Sequence, residues 1–162
     1  MWEPYAIVAA ALVATGLVGM RVTDIGPWYQ ALNKPSWQPP DWAFGPIWTT
    51  IYVFIGASVG RVWPLLGADE RVPFVVLMIV NAALNIAWSY LFFKRRRPVW
   101  SLIEIVPLWL SILAIAVFVA RHDALAAWMI APYASWVLIA GWLNFTMVRM
   151  NPDAHRSVPD PS

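Results

Sequence analysis

Cysteine is absent from this chain of 162 residues, which removes disulfides, thiolate nucleophiles and Cys-ligated metals together. Charge is scarce: Asp, Glu, Lys and Arg make up 12% of residues, about half the ~25% of an ordinary soluble domain. The two histidines, His122 and His155, fall at an expected helix end and in the C-terminal tail, so neither offers an imidazole at membrane depth. No basic region precedes the first apolar run, since "MWEP" holds Glu3 and no Lys or Arg, and a cleaved signal needs such a region. No internal repeat has a clear period. Segments such as "VPFVVLMIV" do not alternate polar with apolar, which argues against a membrane β-barrel.

The chain is instead rich in apolar and aromatic residues. Hydrophobic residues make up 60% and the mean hydropathy is +0.61. A soluble fold of this size leaves too much of its area in water to hide them. Uncharged runs cover 4–20, 42–60, 72–93 and 124–148, and a fifth, 99–120, is interrupted only by Glu104. Each run approaches the roughly 20 residues of helix that span a bilayer core. The expectation is an all-α membrane protein: a bundle of five transmembrane helices at about 4–20, 42–65, 72–93, 98–120 and 124–149. Residues 1–150 form a single domain, and 151–162 a polar, frayed tail.

Lys and Arg set the orientation. Eight of them fall on the side shared by the 1–2 loop, the 3–4 loop and the C-terminus, against three (Arg61, Arg71, Arg121) on the other. The basic side, led by "KRRRP" at 94–98, is expected in the cytoplasm with the N-terminus outside. A topology anchor accounts for that cluster, and no nucleic-acid partner is expected.

The connection after the first helix is long for a bundle, where 2–8 residues are usual. Its core, "WYQALNKPSWQPPDW" at 28–42, holds three Trp, one Tyr and three Pro. Disordered segments are poor in aromatics, so this one is expected to pack on the bundle as a long Trp- and Pro-rich loop. Polar residues at membrane depth face inward. Asn81, Asn85, Trp88 and Phe92 share one helical stripe, as do Pro132, Trp136, Ala140 and Asn144, and as do Trp48, Tyr52 and Ile55. These suit a partly polar cavity between helices; interhelical hydrogen bonding by the amides, and interfacial anchoring by Trp48, are the alternatives. Glu104 is the sole intramembrane carboxylate, on a face with Trp100, Pro107 and Ser111, and is open to ligand binding, proton relay or capping of a backbone group freed by Pro107. Gly56 and Gly60 form a G-x-x-x-G pair, and Ala83 and Ala87 share that spacing, so either face suits close helix packing or homodimerisation.

"WYQALNKPSWQPPDWAFGPIWTTIY" at 28–52, "ALNIAWSYLFF" at 83–93 and "APYASWVLIAGWLNF" at 131–145 resemble, in order, three motifs of the TspO/MBR family, which includes the tryptophan-rich sensory proteins and the translocator proteins. The resemblance implies a dimeric five-helix bundle with a cavity closed by the first loop. Porphyrins or other tetrapyrroles, and similar flat lipophilic molecules such as benzodiazepine-type drugs, are the implied ligands. It carries Trp28, Tyr29, Trp48, Tyr52, Asn85, Trp88, Trp136 and Ala140 over as ligand-binding positions, and Glu104 as a position often occupied by Asp. It leaves three roles open: a sensor or regulator, an enzyme of light- and oxygen-dependent porphyrin breakdown with Trp28 and Trp136 as redox-active residues, or a translocator. The family's sterol pattern is met by Leu143, Phe145 and Arg149 only with Phe in place of Tyr, and sterol binding is not expected.

No cofactor is required by this reading, and no metal site is expected; protoporphyrin IX or haem enters as ligand. Haem proteins use an axial His, Cys, Met or Tyr; Met78 and Met129 are expected to fill gaps in the packing. A porphyrin would thus be held by stacking. Metal-free protoporphyrin IX is predicted to bind at least as tightly as haem in a spectroscopic titration; a strong axial-ligand spectrum with haem and no binding of the free base would refute this.

Overall fold

The bilayer supplies no hydrogen bonds, so each backbone group within it needs a partner inside the segment, and helices meet that need. The computed structural model describes the backbone of residues 3–152 and the side chains of 13–152; the tail beyond, with His155, lies outside the described residues. No strand occurs among them. The helices are α1 (Glu3–Val22), α2 (Pro27–Ala31), α3 (Phe44–Val62), α4 (Ala68–Ser89), α5 (Pro98–Ala120), α6 (Ala124–Trp128) and α7 (Ala131–Met150). With their short extensions, four stretches are long and apolar enough to cross a membrane: Asp41–Leu65, Ala68–Lys94, Pro98–Ala120 and Ala124–Met150. In α1 the portion with described side chains, Val13–Val22, is a shorter apolar helix.

Several elements depart from the expected boundaries, each for a local reason. The segment expected as a loop holds α2, because Pro27 sits at the first helical positions where its missing N–H costs nothing. α4 begins four residues early. The Gly67 N–H donates to the Glu70 carboxylate at 3.0 Å, so the charged residues before Val72 serve as a helix start rather than as a connection. The last span is broken into α6 and α7 at Met129–Ile130, since Pro132 has no N–H to give the Trp128 carbonyl. Asp123 caps α6 by accepting the Ala126 N–H at 3.0 Å. That bond, with Arg61 at 2.7 Å, holds the Asp123 carboxyl below the usual aspartate range.

α4 ends in a π turn, Tyr90–Lys94, in which the Arg95 N–H reaches the Tyr90 carbonyl at 2.9 Å. The wide turn lets two consecutive residues, Phe92 and Phe93, both point into the protein. Arg96 then takes φ 52°, the left-handed region that favours glycine.

α5 is the post of the bundle, packed between α4 and α7. Its buried stripe runs through Ser101, Ile105, Leu108, Ile112, Ile115 and Val119. Polar clasps set its register. Asn81 Nδ2 donates to Ser111 Oγ at 2.8 Å, and Trp109 Nε1 to the Ala134 carbonyl at 3.2 Å. Asn144 is 1% exposed. With its amide oriented so that each atom is paired, it donates to the Pro98 carbonyl at 3.0 Å and accepts from the Leu102 N–H at 3.1 Å and the Ser101 hydroxyl at 2.8 Å. A side chain of α7 thus engages the first turn of α5, bridging the Pro98 carbonyl and the Leu102 N–H.

Asn144→Ala is predicted to cost about 1–3 kcal/mol, the cost of leaving a buried donor unpaired, read as a drop in unfolding midpoint in detergent. A cost below about 0.5 kcal/mol would show that the Leu102 N–H is satisfied some other way.

Candidate functional site

Between α1, α3, α4, α5 and α7 lies a cavity of about 890 Å³. That is near the upper end of the ~300–1,000 Å³ of small-molecule pockets. It follows α3 from Phe44 to Trp63, a rise of about 28 Å. Leu17, Met20 and Val53 line it and are themselves exposed, so it opens sideways between α1 and α3. The Gly56–Gly60 pair also lines it, so those glycines widen the chamber. Gly16 matters for the opposite wall: a Cβ there would meet Tyr52 Cε2 at 3.3 Å.

Seven of the nine expected ligand-binding residues line this one space: Tyr29, Trp48, Tyr52, Asn85, Trp88, Trp136 and Ala140. Trp136 is 8% exposed and meets Phe44 edge-on at 5.7 Å. Ala140, a turn further, leaves room that a larger side chain would fill. Trp48 lies 5.6 Å from Tyr52 and 6.1 Å from Tyr133, so it belongs to the interior cluster rather than to an interfacial belt. Asn85 donates from Nδ2 to the Tyr133 hydroxyl at 3.3 Å.

Two expected residues are elsewhere. Trp28 packs edge-on against Phe92 at 5.9 Å and does not line the cavity, because the turn of α2 that buries Tyr29 aims Trp28 at the π turn. Glu104 does not line it either. α4 and α5 run antiparallel across a short connection, and the Asn81–Ser111 bond sets their register, which puts Glu104 level with Trp88. Both Glu104 oxygens and Trp88 Nε1 are buried without a hydrogen-bond partner among the described residues. Glu104 therefore caps no freed backbone group. The face drawn from the sequence also splits: Trp100 and Pro107 are exposed, while Ser111 is buried. Phe44, Ser89 and Phe93, which the sequence reading did not select, also line the cavity. Tyr133, also unselected, stands behind Asn85; its place three residues before Trp136 is the signal that could have found it.

The 28–42 segment packs over one end of the cavity. Tyr29 is 4% exposed, among Leu32, Phe92, Phe93, Leu143 and Met147. Its ring is 5.5 Å from Phe93, and Lys34 Nζ lies 4.4 Å from its centroid. Gln38 Nε2 donates to the Tyr29 hydroxyl at 3.1 Å. Asn151, just past α7, closes the clasp: Oδ1 accepts the Asn33 N–H at 2.8 Å while Nδ2 donates to the Asn33 carbonyl at 2.9 Å. An amide side chain thus pairs with loop backbone as a neighbouring strand would. Trp37 and Trp42 stay exposed.

The sequence model of the TspO/MBR family matches residues 6–150. The chain is 36% identical over 149 residues to Protein CrtK of Rhodobacter capsulatus, covering 91% of this chain and 92% of that one. It is 36% identical over 143 residues to the tryptophan-rich protein TspO of Chlorobaculum tepidum, covering 86% and 90%. It is 38% identical over 128 residues to the translocator protein of Homo sapiens, covering 76% and 75%.

Burial, with the nearby Asp41 charge, pushes the Tyr29 phenol up to about 12. A phenol pKa raised on docking stabilises the docked state below the ordinary value near 10 and loses that stabilisation as pH rises toward about 12. Proteolysis of the 28–42 segment is predicted to accelerate over that window in wild type and to stay flat in Tyr29→Phe. An equal rise in both would place the effect on another group.

Proposed function

Because the chain belongs to the TspO/MBR family of multi-pass membrane proteins, we propose that it binds a flat lipophilic ligand of the tetrapyrrole class in the aromatic cavity and serves a sensory or regulatory role. The observation that carries this reading is the cavity itself: about 890 Å³ walled by Trp48, Tyr52, Trp88 and Trp136 and covered at one end by Tyr29. Aromatic faces suit a flat π-system, since offset stacking adds about 0.5–1.5 kcal/mol per pair beyond burial. Asn85 and Ser89 are among the few polar groups on its walls.

In this reading α1 is the fifth span, its 20 residues rising about 30 Å. Lys94, Arg95, Arg96 and Arg97 mark the cytoplasmic side, the N-terminus lies outside and the protein is a homodimer. The lid then covers the cytoplasmic end, and the sideways opening between α1 and α3 faces lipid, where a lipophilic ligand is dissolved. A metal-free tetrapyrrole needs no residue beyond these walls. Residues able to abstract or deliver a proton are sparse at the cavity, where Asp41 sits at the mouth. Any chemistry there would run through the ligand's own excited or oxidised state, with Trp136 as the adjacent ring.

Titration of protoporphyrin IX into the protein in lipid nanodiscs tests the binding. Saturable quenching of tryptophan fluorescence is expected, weakened at least tenfold in Ala140→Trp, whose indole occupies the ligand's space. Quenching that is unsaturable and equal in both would mean partition into lipid and would end this reading. Illumination separates the roles: unchanged porphyrin supports the sensor, Trp136-dependent loss of its absorbance the enzyme, and saturable flux across liposomes the translocator.

A further inference from the structure

Four polar side chains form one hydrogen-bonded line across α4, α5 and α7, and the line has a direction. It ends on the Leu108 carbonyl, a group that only accepts. The Ser111 hydroxyl therefore donates to it, at 2.6 Å. That leaves Ser111 Oγ as an acceptor, and Asn81 turns Nδ2 toward it at 2.8 Å. Asn81 then faces Tyr133 with Oδ1, and the Tyr133 hydroxyl donates to it at 3.3 Å. With its one proton committed, the Tyr133 oxygen accepts from Asn85 Nδ2 at 3.3 Å. Each bond forces the next, because a hydroxyl carries one proton and a side-chain amide has one donating and one accepting end. Asn85 is the last member, and it lines the cavity. Its Nδ2 is drawn to the Tyr133 side, and no protein donor among the described residues reaches its Oδ1.

We propose that this relay fixes the hydrogen-bonding polarity of the cavity: Asn85 presents an acceptor, so the ligand that seats against it carries an N–H or O–H donor on a flat apolar body. The inference rests on the reading of the cavity as a ligand site and adds to it the class of polar group the site selects. Ser111, Asn81 and Tyr133 are positioning residues, and none of the three lines the main cavity. A flipped Asn85 would set Oδ1 against a Tyr133 oxygen whose proton is already given away. The orientation is thus set from the Leu108 carbonyl, on the next helix, and passed through Ser111, Asn81 and Tyr133, rather than by a contact of Asn85 inside the cavity. The sequence alone hides this, since an asparagine shows no preference between its two ends until its partners are known.

The test uses two flat tricycles of one shape, carbazole, which has an N–H donor, and dibenzofuran, which has only an acceptor oxygen. Each competes with protoporphyrin IX in nanodiscs. The preference for carbazole is taken relative to the same preference in Asn85→Leu, which cancels their different solubility in lipid. The expected preference is about three- to tenfold, the worth of one net hydrogen bond. Ser111→Ala, remote from the cavity, is expected to bring it to within about twofold of Asn85→Leu, and Ser111→Thr, which keeps the hydroxyl, to preserve it. A merely structural role for Ser111 would weaken both tricycles alike and leave the preference intact. The proposal is overturned by equal preferences in wild type and Asn85→Leu, by full preference in Ser111→Ala, or by failure of both tricycles to displace a porphyrin that itself saturates. Failure of the porphyrin to saturate would instead remove the ligand-site reading, and this inference with it.

Discussion

Inside a bilayer an unpaired amide or hydroxyl has no water to turn to, and in this protein that constraint fixes where the helices stand. On α5, Ser111 accepts from Asn81 of α4, and Ser101 donates to Asn144 of α7. Apolar side chains alone gain little by leaving lipid for another apolar surface, so slippage along α5 is opposed mainly by these pairs and by packing. Moving α4 one residue along α5 would break the Asn81–Ser111 bond and disturb the line behind Asn85. The same bonds that hold the bundle therefore also aim the polar group at the cavity.

The cavity exists because the other side of the bundle is not closed in this way. α1 and α3 meet through glycines and lipid-exposed aliphatics, and the space between them and α5 stays open along nearly the length of α3. Its aromatic walls come from three helices, α3, α4 and α7, and from the lid, so no local segment contains the site. The lid is held by one buried tyrosine and by the Asn33–Asn151 pairing, both at its side rather than over the opening. Such an arrangement keeps the segment ordered while leaving the mouth near Asp41 and Phe44 accessible.

Much of this was legible in the residues. The stripe Asn81, Asn85, Trp88, Phe92 does face inward, and so do Trp136 and Asn144, because the cost of polar groups in lipid selects a face wherever a helix crosses. Other features were not legible. Glu104 looked like a cavity residue because its helix face was drawn one position toward lipid, through Trp100 and Pro107. The helix buries Ser101 and Leu108 instead, and the carboxyl ends level with Trp88, its oxygens and the indole Nε1 without a hydrogen-bond partner among the described residues. Trp28 and Tyr29 looked equivalent as neighbours in a proline-rich segment; one turn of helix separated their directions. The π turn at Tyr90–Lys94 has no marker in the sequence, since it is a response to burying Phe92 and Phe93 together.

The order of residues by itself determined the membrane class, the approximate spans, the inward faces of α4 and α7 and the family, since all of these follow from where charge is missing and where amides and indoles recur along one helix. Only the tertiary structure decided which of those faces share one cavity, that Trp28 and Glu104 lie outside it, and that Asn85 turns its oxygen away from Tyr133. Periodicity gives a direction around one helix axis. The depth, register and hydrogen-bond polarity of a site depend on the neighbours that several axes bring together.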